Sequence, residues 1–204
     1  MSITQENLQL EQQRRRRMRD VPDLAIRRAR RSDMRQIADF VRSSASWYAE
    51  FVDASDMGEH EVDEAWEEKN FSLRDFYIGH ADGEPVGTIS LQVFGDYAYL
   101  GYIYLDVAHV GKGYGHTLMT FAESLVRRMG LRGMVLIAHP EATWATRAYE
   151  KFGFECIETD KDAILCWQDD CLKPYYEEGF ELYRYAFEVV GDAPDADMDA
   201  MEVS

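Results

Sequence analysis

One six-residue turn leaves this chain few ways to fold. Val110-Gly111-Lys112-Gly113-Tyr114-Gly115 separates a run dense in aromatic and branched side chains (Tyr97, Tyr99, Leu100, Tyr102, Ile103, Tyr104, Leu105, Val107) from a stretch of helical periodicity. The first run reads as a strand. In the second, Leu118, Met119, Ala122, Leu125, Val126 and Met129 recur as an apolar stripe. Thr120, Glu123, Ser124, Arg127 and Arg128 face away, and Gly130 stands where a C-cap belongs. A strand must therefore turn directly into an amphipathic helix. Alternate glycines expose backbone N–H groups with no Cβ in the way, and the helix behind them aims its positive end at the same spot, so the turn can cradle a phosphate.

The glycines alone do not separate a phosphate cradle from a bare strand-to-helix connector. Gly-Lys followed by Ser or Thr, the mark of a nucleoside-triphosphatase loop, is missing. The third glycine comes too early for a dinucleotide fingerprint, and no acidic residue closes a second strand at the distance that motif requires.

A second motif narrows the reading. Ala145-Thr-Arg-Ala-Tyr149-Glu-Lys-Phe-Gly153-Phe154 reads as a short helix closed by glycine, and 34 residues separate Gly115 from Tyr149. With both motifs present, the chain resembles the GNAT superfamily of N-acetyltransferases over roughly residues 24 to 189. That family carries Gln/Arg-x-x-Gly-x-Gly/Ala after its fourth strand and Ala-x-x-x-Tyr-x-x-x-Gly-Phe about one βα unit later. Two positions depart from its pattern. Val110 stands where Gln or Arg usually opens the loop, and Ala142 stands where an Asn often holds the pantetheine arm.

The resemblance implies an α/β (α+β) fold: a mixed, mostly antiparallel sheet of six or seven strands flanked by helices, with the fourth and fifth strands splayed. It implies acetyl-CoA as co-substrate, its pyrophosphate on the amides of Val110, Gly111, Lys112, Gly113, Tyr114, Gly115 and His116. The pantetheine arm would pair with the backbone of Ile103, Tyr104 and Leu105 as an added strand would. The chemistry implied is direct attack by an amine on the thioester, with Tyr149 as general acid for the departing thiolate. The family's usual base positions hold Tyr99 and Ile137. Glu141 and His139 are the nearest titratable groups, Asp106 is a third, and a water relay is an equal alternative.

The rest of the chain supplies the frame. Leu24 to Ala29 should form the first strand, and Ser32 should cap a helix with Met34, Ile37, Ala38 and Val41 inward. Trp47, Tyr48, Phe51 and Val52 extend that apolar pattern. Glu59 to Lys69 reads as an acidic helix with Val62, Ala65 and Trp66 on one face, and by resemblance this region walls the acceptor cleft. Phe76–Gly79 and Val86–Phe94, joined through Asp82-Gly83, read as a hairpin. Met134–Ala138 reads as a buried strand and Phe180–Val189 as the last one. Tyr175–Gly179 echoes Tyr149–Gly153, as a second helix turn stopped by glycine.

Three domains of composition emerge: a polar extension over 1–20 containing Arg14–Arg19, a folded domain over 21–190, and an acidic tail over 191–204. A net charge of −16 speaks against a nucleic-acid surface across the fold. The arginine run is either a binding arm or a solvated tail. Cys156, Cys166 and Cys171 fit no zinc or redox spacing and read as buried or half-buried thiols, and the five histidines show no ligand spacing, so no metal is expected. No apolar run approaches the ~18 residues of a membrane helix, and no hydrophobic segment follows the N-terminal charges, so a cytoplasmic protein is expected. The acidic second helix tilts the acceptor toward a cationic small molecule or peptide amine. Dimers are common in the family, so a homodimer is compatible. The alternative to an enzyme is a non-catalytic acyl-CoA sensor or interaction module on the same fold.

Overall fold

The structure, a computed structural model, describes residues 23–48 and 62–187. The arginine run, Phe51, Val52 and the acidic tail lie outside them. Seven strands form one sheet: β1 (Ala25–Arg28), β2 (Asp75–Ala81), β3 (Glu84–Phe94), β4 (Tyr97–Leu105), β5 (Gly133–Ala138), β6 (Glu155–Glu158) and β7 (Glu181–Ala186). Their order is β1-β2-β3-β4-β5-β7-β6, and every junction is antiparallel except β4 against β5. This is the expected mixed, mostly antiparallel sheet. β6 and the short helix after it carry too little periodicity to be read in advance.

Helices cover both faces: α1 (Met34–Tyr48), α2 (Glu64–Leu73), α3 (Tyr114–Arg128), α4 (Thr143–Phe152) and α5 (Lys161–Leu165). Strand side chains alternate, so Tyr77 packs in the cluster that holds Leu118, Met119, Ala122 and Val126 of α3, while Phe76 and Ile78 pack with Met34, Ile37 and Phe40 of α1. The β2–β3 hairpin turns through Asp82 at φ 52° and Gly83 at φ 89°, the left-handed pair a two-residue hairpin demands.

Several local expectations are corrected. A 3₁₀ turn over Arg31–Asp33 precedes α1, and the Asp33 carboxylate, not Ser32, accepts the Arg30 N–H at 2.6 Å. α2 begins only at Glu64, because Asp63 accepts the Trp66 N–H at 2.8 Å and sets the start. That phase leaves Ala65 exposed and buries Asn70. α3 ends at Arg128, so Met129 is 49% exposed; Gly130, at φ 72°, then reverses the chain and the Leu131 N–H donates to the Val126 carbonyl at 3.3 Å. Cys156 lies on an edge strand and is exposed, Cys166 is exposed and only Cys171 is half-buried; all three are free thiols. Tyr175–Gly179 is a turn, not a helix, because Tyr175 is drawn across the sheet to stack on Tyr99, with ring centroids 5.3 Å apart.

Candidate active site

The parallel ladder between β4 and β5 holds only Tyr97 with Gly133, Ala98 with Met134 and Tyr99 with Val135. Beyond Tyr99 the strands part: β5 stays with β7 through Ala138, and β4 stays with β3 through Leu105. A bulge on β4 sharpens the divergence, since Thr88 and Ser90 of β3 face Tyr104 and Gly101, leaving one extra residue on β4. Tyr102 there holds φ 46°, a conformation rare for an aromatic residue, and Ser90 Oγ donates to the Gly101 carbonyl at 2.8 Å on the same stretch. The result is an opening between the strands with Ile103 and Tyr104 along one wall, while Leu105 packs against the core.

At the outer end of that wall lies the glycine turn. Asp106 accepts the Ala108 N–H at 2.8 Å and fixes a 3₁₀ turn over Val107–His109. Gly111 at φ 82° and Gly113 at φ 87° then lead into α3, for which Gly113 is the N-cap. A Cβ built on Gly111 would meet nothing within 4 Å, and one on Gly115 only Leu105 Cδ1 at 3.8 Å. Open space therefore faces the first-turn amides, which have no acceptor within a helix and carry its positive end. Val110 and Lys112 are exposed beside it, and the His116 ring sits 5.2 Å from that of Phe152. Among the residues read from the sequence as holding the phosphates, Val110, Gly111, Lys112 and Gly113 are exposed in the turn and Tyr114, Gly115 and His116 begin α3.

On the other side the opening widens into a cavity walled by Tyr48, Arg74, Tyr102, His139, Tyr149 and Glu177 among others. Tyr149 is half-buried on α4, its ring 6.1 Å from that of Phe154. Burial pushes its phenol well above the usual tyrosine range, and the neighbouring Tyr48 and Tyr183 hydroxyls push in the same direction. His139 Nδ1 accepts the Glu141 N–H at 3.2 Å. Glu141 is exposed in the turn before α4 and does not line the cavity. Asp106 is occupied in its cap. Ala142, buried at the N-cap of α4, donates its N–H to the His139 carbonyl at 3.0 Å. Of the three proposed catalytic residues, the structure therefore brings together Tyr149 and His139.

Arg74, Tyr175, Glu177 and Phe180 reach the same cavity without any signal in their local sequence. An aromatic rim stands beside it. Trp144 on α4 meets Trp47 and Tyr48 of α1 edge-on, with centroids 5.6 and 5.5 Å apart. Among the described residues no cluster of His, Cys, Asp and Glu is arranged to hold a metal, and no helix is long and apolar enough to cross a membrane.

Comparison with known proteins agrees with this geometry. The sequence profile of the acetyltransferase (GNAT) family matches residues 39–154. No curated protein matches the chain. Among solved structures, the PaiA N-acetyltransferase of Thermoplasma acidophilum, in complex with coenzyme A, is similar at 19% identity and TM-score 0.63, over 81% of this chain and 99% of that one. An acetyltransferase of the GNAT family from Staphylococcus aureus Mu50 is similar at 16% identity and TM-score 0.60, over 81% and 100%. The N-acetylglutamate synthase of Neisseria gonorrhoeae, complexed with coenzyme A and N-acetyl-glutamate, is similar at 18% identity and TM-score 0.60, over 82% of this chain and 36% of that longer one.

Proposed function

This chain belongs to the acetyltransferase (GNAT) family, and from that premise we propose that it moves an acetyl group from acetyl-CoA to a primary amine of a small molecule or peptide by direct attack. The observation that carries the reading is the parting of β4 and β5 after Tyr99 and Val135. It joins a surface of helix-end amides at residues 110–116 to a cavity with titratable groups, through a gap flanked by β4. Ile103, Tyr104 and Leu105 are the residues that would meet the pantetheine arm, and the glycine turn the phosphates.

In the proposed reaction a neutral amine attacks the thioester carbonyl; an N–C bond forms, the C–S bond breaks, and the amine's proton leaves while the thiolate gains one. Tyr149 suits the second proton transfer. Burial makes its phenol a weaker acid than a free tyrosine, so it acts first by hydrogen bonding as charge develops on sulfur, with complete transfer only later. Glu141 stands outside the cavity and His139 Nδ1 already accepts the Glu141 N–H, so water carries the amine's proton outward, past the half-buried Glu177 in the wall. A cytoplasmic setting, where acetyl-CoA is available, goes with this reading.

Thiol release from acetyl-CoA, followed across a panel of amines, amino acids, polyamines and peptide N-termini, tests it. Turnover with at least one acceptor, and a product heavier by one acetyl group, is expected. Acetyl-CoA binding without turnover on any member would favour the acyl-CoA sensor instead.

A further inference from the structure

We infer that Arg74 determines specificity in the acceptor cavity, and that the acceptor amine carries a carboxylate, as an amino acid does. The inference rests on the acetyltransferase reading for its word "acceptor", but its evidence is separate. Arg74 follows α2 directly and is 8% exposed, yet it lines the cavity. Its Nε donates to Asn70 Oδ1 at 3.1 Å. Its guanidinium carbon lies 4.5 Å from the ring centroids of both Tyr102 and Tyr175 and 5.9 Å from that of Tyr99.

Among the described residues Arg74 enters no ion pair. A buried guanidinium is ordinarily paired with an anion, because desolvating a charge is costly. Here the aromatic rings offset part of that cost through their faces, and they contribute no negative charge to the N–H fork. A buried cation in the wall of a cavity, with no carboxylate partner of its own, is matched by a planar anion that accepts hydrogen bonds from the guanidinium.

The phosphates of the cofactor are not that anion. Arg74 touches β4 at Gly101, where a built Cβ would collide with Nη1. The glycine turn begins at Val110, and the four steps from Gly101 to Leu105 alone span roughly 13 Å of strand. The anion therefore belongs to the molecule on the acceptor side. Glu177, half-buried, stands in the same wall as Arg74, so a carboxylate side chain and a guanidinium both border the cavity.

The test uses matched pairs, each an α-amino acid and its primary amide, titrated into the CoA-loaded protein by ligand-observed NMR, and then compared in turnover. Wild type should prefer the carboxylate member of at least one pair by roughly tenfold or more. That ratio should fall toward one in Arg74→Gln and in Gly101→Ala. The second variant keeps the charge and pushes the guanidinium aside, so it serves if the first does not fold. No carboxylate preference in any wild-type pair, or a preference that survives both substitutions in folded protein, overturns the assignment. Acetyl transfer to amides and acids at equal rates would sink the carboxylate and keep the transferase. A carboxylate preference that depends on Arg74, without acetyl transfer to any amine, would sink the transferase and keep the site.

Discussion

Gly115 faces Leu105 across the junction of β4 and α3, with 3.8 Å between Leu105 Cδ1 and the position a Cβ would take. A Cβ there is in ordinary van der Waals contact, and the bulk of a branched side chain sits in the first turn of α3 beside the amides assigned to the phosphates. Gly115→Val should therefore keep the melting temperature within a few degrees and weaken acetyl-CoA binding by at least tenfold in calorimetry. Gly113→Val is the poorer probe, since φ 87° alone costs a non-glycine residue about 1–2 kcal/mol. Wild-type affinity in folded Gly115→Val would reduce the turn to a connector.

Val110 occupies the position where the family usually has a long polar side chain, and it is 40% exposed. Nothing packs tightly enough around it to make it a core residue. Val110→Arg should leave acetyl-CoA affinity unchanged or raise it severalfold, more so at low salt, because it sets a cation beside the pyrophosphate site. A large loss in calorimetry would show that the turn meets its ligand in another way.

Tyr149→Phe keeps the ring against Phe154 and removes only the hydroxyl proton. A fall of roughly 10² or more in kcat is expected, with acetyl-CoA affinity and thermal stability nearly unchanged. Single-turnover kinetics separate this from slow product release, and an unchanged chemical step would remove Tyr149 from the mechanism.

Burial raises the phenols of Tyr77, Tyr149, Tyr183 and Tyr185 above their ordinary value. The folded state then holds these protons more tightly than the unfolded chain. Their contribution to stability is fully present below the unfolded pKa of about 10 and is lost as pH rises beyond it. Denaturation midpoints should fall above about pH 10, on top of an earlier loss from the raised thiols of Cys156 and Cys171 that begins near their unfolded pKa of about 8.5. Tyr149→Phe should make that fall shallower, by up to about 1.4 kcal/mol per pH unit. An identical slope in the variant would mean that Tyr149 titrates like an exposed phenol.

What the sequence discloses here is what lies close together along the chain. The glycine turn, the α3 stripe and the Tyr149 helix are encoded in spacings of three or four residues, so their places were legible. The bulge at Tyr102 was not, because its aromatic neighbours favour ordinary strand and only the register against β3 reveals the extra residue. Arg74 reads as a charge at the end of an acidic helix. Its role depends on Tyr102 and on Tyr175, which lies 101 residues away in sequence. The exposure of Ala65 and Met129 shows the same limit at helix ends, where a shift of about two residues, half a turn, exchanges inside for outside.

The short β4–β5 ladder also bears on how the molecule assembles. Residues 25–105 complete β1 to β4, and residues 133–186 complete β5 to β7, so each sub-sheet is drawn from one continuous span of chain. Three residue pairs and the α3 crossover are the seam between them. Parallel closure through a crossover is the slow kind of pairing, so hydrogen exchange is expected to find the amides of this seam less protected than those of the antiparallel ladders on either side. A cofactor lodged between the strands would act as a keystone, adding cohesion where the polypeptide itself supplies least.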